Sequence, residues 1–252
     1  MITGASSGIG KEIARLLARR GDRLILLARR RPLLEALATE LAQQHQAQVE
    51  ILVADLALPG AAQKVVDALT ARGLAVDVLV NNAGFGLLGQ HAALTVQHQL
   101  EMVQVNVTAL VQLTRLLLPA MVERRRGGVI NVASTAAFQA GPGMAVYYAT
   151  KAFVLSYTEA LHEELKDTGL QVTCLCPGPT DTGFVEVAGM QGVKAFRFGA
   201  DSPLAVAVAG LDGLDANRAI AIAGLRNRLL VWAGKLAPRW LTRKVVGLLN
   251  RK

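Results

Sequence analysis

Three side chains between residues 131 and 151 have types and spacing that suit proton transfer: Ser134, Tyr147 and Lys151. Tyr147 and Lys151 are four residues apart, so a helix would present both on one face. A phenol is a weak acid at neutral pH because its ordinary pKa is about 10, but a nearby ammonium favours the phenolate and lowers that pKa. Such a pair could move a proton to or from a substrate oxygen. A chance Tyr-x-x-x-Lys on a solvated helix would explain the spacing equally well if nothing else in the chain agreed.

The elements that would position these residues are a parallel sheet and its helices. The chain opens with a glycine-rich turn that leads into an apolar-periodic helix ending at Gly21. Glycines let the backbone approach a ligand closely, and the first amides of a helix favour phosphate, although a tight turn alone would also use glycine. Apolar runs predict strands at 24–28, 48–53 and 76–80, each separated by a helical pattern. This alternation predicts an α/β fold with a doubly wound parallel sheet and a ligand at the carboxyl ends of the strands.

Length and composition indicate one domain. The 252 residues are 52% apolar, which is enough for one substantial core. Cys174 and Cys176 alternate along an apolar run, so they share one face of a strand and are expected to be buried, reduced thiols of a cytoplasmic protein. The start of the chain lacks a signal-peptide pattern, and no run of about 18 uncharged apolar residues indicates a membrane span.

An ordered set of motifs resembles the single-domain branch of the short-chain dehydrogenase/reductase family. These are T-G-x-x-x-G-x-G at 3–10, Asp55, NNAG at 81–84, Asn106, Ser134 with Tyr147 and Lys151, and PGPTDT at 177–182. The resemblance runs from residue 1 to about Thr182 and implies a Rossmann-type catalytic domain over residues 1–224 with an extension over 225–252. It also selects Tyr147 over Tyr148 as the reactive phenol, because only Tyr147 has a lysine four residues on. Tyr148 is then a packing residue.

The resemblance assigns roles to these residues. Tyr147 would be the acid in carbonyl reduction and the base in alcohol oxidation, and Lys151 would lower its pKa and bind the nicotinamide ribose. Ser134 would hydrogen-bond the substrate oxygen, Asn106 would distort its helix and support a proton path, and Asn81 would tie strands together. The cofactor-binding residues would be Gly4, Ser6, Ser7, Gly8, Ile9, Gly10, Arg29, Asp55, Asn82, Ala83, Gly84, Tyr147, Lys151, Pro177, Gly178, Thr180 and Thr182.

The end of the second strand favours NADP(H) over NAD(H). Family members that prefer NAD carry an acid there, and Ala28 stands at that position. Arg29 follows and is well placed to meet a 2′-phosphate, whereas Arg30 and Arg31 are also explained as a solvated basic cluster at the start of a helix. Ser7 departs from the pattern, since some NADP-dependent relatives carry a basic residue before the second motif glycine.

Only Met1 and Ile2 precede the Thr-Gly turn, where the family has several residues of a central strand. A short central strand leaves neighbouring backbone groups without partners, which suggests a misassigned start or a truncation. After the last motif, 183–200 is apolar and glycine-interrupted, which fits a lid over the substrate or ordinary core packing. Its large apolar residues are Phe184, Val187, Met190, Phe196 and Phe198. Ser202 and Pro203 predict a helix start, and 218–223 alternates like an edge strand.

The last residues, 217–252, contain nine Lys or Arg and no acid, within a net charge of +8. Leu225, Leu229, Trp232 and Leu236 repeat at helical spacing before Pro238, and Leu241, Val245, Leu248 and Leu249 repeat after it. This stretch could contact an anionic membrane, close over the active site or pack in a homo-oligomer. Nucleic acid is not expected as a partner, because no aromatic-interleaved basic face accompanies the charge. No metal is expected, because His45, His91, His98 and His162 lack ligand spacing.

The sequence therefore predicts an NADP-dependent oxidoreductase that interconverts a secondary alcohol and a ketone, on an apolar or lipid-derived substrate. The alternative is a catalytically silent NADP-binding sensor or scaffold. The two differ in one respect: a protein that only binds has no use for an acid beside the nicotinamide.

Overall fold

The computed structural model describes residues 1–193 and 199–251. Seven strands, all paired in parallel, form one sheet in the order β3-β2-β1-β4-β5-β6-β7. The strands are β1 (Ile2–Thr3), β2 (Leu24–Ala28), β3 (Val49–Val53), β4 (Val78–Asn81), β5 (Gly128–Val132), β6 (Gln171–Cys176) and β7 (Ile220–Ile222). The predicted doubly wound α/β sheet is thereby confirmed, and the strand order reverses between β1 and β4.

Helices cover both faces of the sheet. They are α1 (Gly8–Arg19), α2 (Arg31–His45), α3 (Ala61–Ala71), α4 (Val96–Val103), α5 (Leu110–Glu123), α6 (Ala145–Glu164), α7 (Phe184–Val187), α8 (Pro203–Asp215), α9 (Leu225–Leu236) and α10 (Arg239–Leu249). A π-helical segment (Gln104–Ala109) joins α4 to α5, and a short 3-10 helix (Thr135–Phe138) follows β5. α1, α2 and α8 pack on one face of the sheet, while α3, α5 and α6 pack on the other.

The second strand shows why these runs become buried strands. Leu24 and Leu26 join the core under α1, whereas Ile25 and Leu27 point into the core under α3 and α5. A strand with helices on both sides needs apolar residues at every position, so its sequence is a continuous apolar run.

The strand bounds differ slightly from prediction. β2 matches 24–28, but β4 begins at Val78 rather than Val76. The Arg124 guanidinium donates to the Val76 carbonyl at 2.8 Å, so this carbonyl is bonded to a side chain instead of to a neighbouring strand. The predicted edge strand is β7, and Ser202 caps α8 by accepting the Ala205 amide at 3.1 Å.

The first strand is short and central. The Met1 ammonium is buried and donates to the Val78 carbonyl at 2.6 Å, while Val80 donates its amide to the Met1 carbonyl at 2.9 Å. Burial lowers the pKa of this ammonium to about 5. Met1 therefore adds two hydrogen bonds to β4 beside the pairing of Ile2 with Val80.

Across the described residues, one helical run, Val96–Glu123, is long and apolar enough to cross a membrane by length and composition. Met102, Asn106, Leu113 and Met121 on this run are each at most 1% exposed. Because these side chains pack in the interior of the domain, we assign the run to the core.

The C-terminal helices α9 and α10 meet at Pro238 and lie across the carboxyl end of the sheet. Their inner faces are anchored by buried Asn227, Val231, Val246 and Asn250. Asn250 donates to the Pro142 carbonyl at 3.0 Å and accepts from the Tyr148 hydroxyl at 3.4 Å. The extension thus packs on the domain, as one of the three interpretations of its sequence proposed.

Candidate active site and cofactor cleft

A cavity of about 1050 Å³ lies at the carboxyl ends of the central strands. This volume lies at the upper end of the range of ligand pockets. All the predicted cofactor-binding and catalytic residues line it except Gly10 and Asn106. The structure therefore brings the separate sequence motifs to one place.

The glycine-rich turn forms one wall of the cavity, and its glycine positions leave no room for a side chain. Gly4 and Gly8 have positive φ angles of 66° and 57°. A Cβ at Gly10 would lie 2.5 Å from the Asn82 amide nitrogen and 2.7 Å from the Gly4 carbonyl oxygen. Gly10 does not line the cavity because its role is to let α1 pack closely against the turn.

Thr3 and Asn82 join the glycine-rich turn to the end of β4. The Thr3 hydroxyl accepts the amides of Asn82 and Ala83 at 3.0 and 2.9 Å. The Asn82 side chain donates to the Thr3 and Gly4 carbonyls at 2.9 and 3.2 Å. These bonds fix two motifs that are far apart in the chain, so that Ala83 and Gly84 form the cavity floor.

Tyr147 and Lys151 lie in the first turns of α6, on one face, as predicted from their spacing. The Lys151 ammonium is 5.8 Å from the centre of the Tyr147 ring and donates to the Val132 carbonyl at 2.8 Å. Both side chains are buried.

The Ser134 hydroxyl accepts the Ala136 amide at 3.1 Å and donates to the Pro177 carbonyl at 3.3 Å, which fixes its position beside the phenol.

Burial dominates the electrostatics of the pair. It raises the pKa of Tyr147 above its ordinary value, and a hydrogen bond with Ser134 acts in the opposite direction. Burial also lowers the pKa of Lys151 to about 8, because the charged ammonium loses its hydration. For Tyr147, burial therefore acts in the direction opposite to the lowering of the pKa expected from Lys151, which stays a prediction.

Asn106 lies in the π-helical segment, in line with the predicted helix distortion. Its amide nitrogen donates to the Phe85 carbonyl at 2.9 Å and to the Thr150 hydroxyl at 3.1 Å, and its oxygen accepts the Phe85 amide at 3.0 Å. A Cβ on Gly84 would lie 3.0 Å from the Asn106 oxygen and 3.4 Å from the Lys151 nitrogen. Asn106 thus holds the cavity floor against α6 without lining the cavity.

Asn81 ties strands together, as expected. Its amide nitrogen donates to the Asn131 oxygen and the Thr114 hydroxyl, each at 2.9 Å. Asn131 in turn donates to Thr158 of α6 at 3.0 Å. This buried chain of polar groups links β4 and β5 to the helix that carries Tyr147.

The basic end of the cavity contains Arg30, which a solvated basic cluster would also explain from the sequence alone. Arg30 donates to the Ser6 and Ser7 hydroxyls at 3.0 and 2.9 Å and lines the cavity. Arg29 also lines it but lies 3.6 Å from the Asp55 carboxylate. Arg31 pairs with Glu35 on the outer face of α2, as a solvated cluster implies, whereas Arg30 is exposed and also lines the cavity. The sequence contained no signal for this, because Arg29, Arg30 and Arg31 are identical in type.

The mouth of the cavity is lined largely by apolar side chains, three of which lie in the segment 183–200 that the sequence predicts as a lid or as core. The segment after β6 contributes Phe184, Val187 and Met190, and Phe184 packs 5.3 Å from the Tyr147 ring. Met190 is buried while Val187 is 61% exposed, so part of this segment packs in the interior, and its role as a lid stays a prediction. Phe196 and Phe198, expected in the same lid, lie outside the described residues.

The C-terminal extension completes this mouth. Its large apolar lining residues are Leu230, Val231, Leu241, Val245, Val246 and Leu249, and its polar ones are Arg226, Asn227, Thr242 and Asn250. The helical repeat of the extension showed that it had an apolar face, but no pattern in it showed that the face covers this cavity.

A glycine-rich turn at the carboxyl ends of parallel strands, beside a buried phenol and ammonium, is characteristic of Rossmann-type oxidoreductases. The chain belongs to the short-chain dehydrogenase family, whose model, described as short chain dehydrogenase, matches residues 1–191. Members of this family are enzymes that act on CH–OH groups.

Named relatives agree with this assignment. Sulfoacetaldehyde reductase 2 of Chromohalobacter salexigens is 37% identical over 81% of this chain and 82% of its own length. Very-long-chain 3-oxoacyl-CoA reductase of Anas platyrhynchos is 33% identical over 70% of this chain, which spans 58% of that longer protein. A short-chain dehydrogenase from Sphingobium yanoikuyae in complex with NADPH is 33% identical, with a TM-score of 0.83 over 92% of this chain and 91% of that one.

Proposed function

We propose that the protein is an NADP-dependent oxidoreductase that interconverts a secondary alcohol and a ketone on an apolar substrate. One observation supports this above the others: Ser134, Tyr147 and Lys151 meet at the floor of the cavity that the glycine-rich turn opens onto. That arrangement combines a proton donor with a place for a dinucleotide.

The residues around the cavity fit NADP(H). The glycine-rich turn and the start of α1 would hold the pyrophosphate, since backbone amides and the helix dipole favour anions there. Arg29 and Arg30 give the far end a positive charge that suits a 2′-phosphate. Bound NADPH would supply the hydride, and the structure of the Sphingobium yanoikuyae relative with NADPH supports the choice of cofactor.

The proton step falls to Tyr147. A pKa raised by burial keeps the phenol protonated, which suits donation to the oxygen of a carbonyl that accepts hydride. Ser134 would donate a hydrogen bond to the same oxygen as negative charge develops. Lys151, with a pKa of about 8, exchanges its proton near neutral pH and would return one to Tyr147.

Apolar side chains around the mouth favour an apolar substrate. Leu230, Leu241, Val245, Met190 and Phe184 surround the approach to Tyr147. A carbonyl compound with a hydrocarbon chain would bury its chain against them, at about 25 cal/mol per Å² of apolar area. A named relative that reduces very-long-chain 3-oxoacyl-CoA is consistent with this class, whereas the sulfoacetaldehyde reductase shows that the shared domain also serves small polar carbonyls.

One experiment distinguishes the proposed oxidoreductase from the alternative function, a silent NADP-binding sensor or scaffold. NADPH oxidation is measured with methyl ketones of increasing chain length, and NADPH affinity is measured by nicotinamide fluorescence. We expect turnover that improves with chain length, and Tyr147→Phe should lower kcat by at least about a hundredfold while NADPH affinity is kept. Tyr148→Phe, which removes only the hydroxyl bonded to Asn250, is the matched control and should keep turnover.

Two other results would decide against the proposal. NADPH binding without turnover of any carbonyl or alcohol would favour the sensor or scaffold. Absence of NADPH binding would overturn both functions.

We also propose that the protein is a homo-oligomer in the cytoplasm. Leu116 on α5 and Phe153 on α6 are 37% and 44% exposed, which leaves apolar surface on the outer helices for a second copy. Cys174 and Cys176 are buried free thiols with their sulfurs 3.7 Å apart, as expected for a reducing compartment. Sedimentation velocity of the full chain tests the oligomeric state.

A further inference from the structure

The outer face of the two C-terminal helices exposes large apolar side chains that the fold does not use. On α9 these are Leu225, Leu229, Trp232 and Leu236, which are 71%, 62%, 68% and 70% exposed. Their spacing places them along one side of the helix, opposite the buried Asn227 and Val231. On α10, Trp240 and Leu248 continue the surface at 55% and 54% exposure. We call these six residues the outer apolar face.

This face is surrounded by positive charge. The chain from residue 217 onward has no acid, and its basic residues are Arg218, Arg226, Arg228, Lys235, Arg239, Arg243, Lys244, Arg251 and Lys252. In the part of the chain that the structure describes, Lys235, Arg239, Arg243 and Lys244 form no ion pair with a carboxylate. Part of the charge holds α9 on the domain, because Lys235 lies 5.0 Å from the centre of the Phe138 ring and Arg228 donates to the Ile222 carbonyl at 3.1 Å. The positive charge of α10 is not neutralised by a carboxylate of the described residues.

The same helices connect this face to the cavity. Leu230, Leu241 and Val245 line the mouth and are also 63%, 40% and 45% exposed. The mouth thus opens beside the outer apolar face, with apolar side chains continuous between them.

We propose that the outer apolar face docks on an anionic lipid bilayer and that the cavity mouth exchanges apolar substrate with that bilayer. The positive charge around the outer apolar face favours an anionic bilayer over a second copy of this chain. Two copies meeting through the same face would bring like charges together, whereas anionic headgroups neutralise them. Exposed tryptophan and leucine with flanking cations is the composition that lies at the headgroup level of a membrane. The exchange step rests on the proposed function, but the docking does not.

The chain supplies its own reporter for the test. Trp232 and Trp240 are its two tryptophans, and both lie on the proposed face. Full-length protein is mixed with vesicles of phosphatidylcholine alone or of phosphatidylcholine with phosphatidylglycerol, and tryptophan emission and flotation are recorded. We expect a blue shift and flotation only with phosphatidylglycerol, both decreasing as salt is raised.

Variants separate the apolar and electrostatic contributions. Leu229→Ser with Trp232→Ser should weaken vesicle binding by about tenfold or more, and each of Arg239→Glu, Arg243→Glu and Lys244→Glu by about fivefold. Val96→Ser and Lys64→Glu are the matched controls, because both residues are exposed on other parts of the surface. They should bind vesicles as the natural chain does.

Three outcomes would overturn the docking proposal. They are no flotation with either vesicle, equal flotation with and without phosphatidylglycerol, or a blue shift of tryptophan emission that increases with protein concentration in the absence of vesicles. The last would assign the face to a second copy. The exchange step is tested separately, by whether anionic vesicles raise the rate with a membrane-partitioned ketone and not with a water-soluble one. If no carbonyl turns over at all, the proposed function fails while the vesicle-binding result stands.

Discussion

Single substitutions of Arg30 and of Arg29 would show which of the two guanidinium groups binds the 2′-phosphate of NADP(H). Arg30 donates to the Ser6 and Ser7 hydroxyls at 3.0 and 2.9 Å, at the glycine-rich turn. Arg29 lies 3.6 Å from Asp55, and this carboxylate competes with a phosphate for the same charge. The geometry therefore favours Arg30, where the sequence favours Arg29.

The magnitudes follow from the exposure of both side chains. A charge-assisted hydrogen bond contributes about 1.5–3 kcal/mol, and the lower end applies because Arg30 is exposed. Arg30→Ala should therefore weaken NADPH binding by about tenfold and leave NADH binding unchanged. Arg29 is exposed and already pairs with Asp55, so its contact with a 2′-phosphate should contribute only about 0–1 kcal/mol, and Arg29→Ala should weaken NADPH binding by less than about fivefold.

The assay is a nicotinamide fluorescence titration of each variant with NADPH and with NADH, which does not depend on turnover. Arg31→Ala is the matched control, since Arg31 pairs with Glu35 away from the cavity and should change neither affinity. The reasoning fails if Arg29→Ala removes the preference for NADPH while Arg30→Ala does not. Equal losses for both cofactors on Arg30→Ala would instead show that Arg30 only supports the turn.

Two further predictions concern stability. Because burial lowers the pKa of Lys151 from 10.5 to about 8, the unfolded chain binds more protons between these values, and the Lys151 contribution to stability rises with pH across that window. Lys151→Met should abolish turnover. It should also remove this rise of stability with pH and stabilise the fold at pH 7 by up to about 3 kcal/mol, as measured by urea unfolding. A pH dependence of stability equal to that of the natural chain would contradict the lowered Lys151 pKa. Gly10→Ala should lower stability by about 3 kcal/mol in the same measurement, because its Cβ would meet the Gly4 carbonyl at 2.7 Å. Gly183→Ala is its control, with nothing within 4 Å, and equal unfolding midpoints for the two variants would refute the steric argument.

The sheet and the floor of the cavity could be predicted from sequence because local patterns encode them. Apolar runs such as 24–28 determine strands whatever surrounds them, and parallel pairing then brings the ends of β1, β4 and β5 to one edge. The spacing of Tyr147 and Lys151 needs only a helix to place both on one face.

Other features depend on contacts that no local pattern contains. Arg29 and Arg30 are identical in type, and their different surroundings depend on the path of the backbone after β2, which no local pattern predicts. The sign of the Tyr147 pKa shift depends on burial, which outweighs any effect of the neighbouring ammonium. The packing of α10 over the cavity depends on Asn250 reaching Pro142, more than a hundred residues earlier in the chain.

The position of the C-terminal extension bears on where substrate choice is made. The family match ends at residue 191, and relatives that share this part of the fold are named for substrates as different as very-long-chain 3-oxoacyl-CoA and sulfoacetaldehyde. We therefore do not expect the residues proposed to hold the cofactor and move the proton to select the substrate. In this chain the wall facing Tyr147 comes in large part from α9 and α10, which lie beyond the match. Substrate choice should then follow these two helices, so that polar substitutions at Leu241 or Val245 would raise KM for long-chain ketones more than for short ones, with NADPH affinity unchanged.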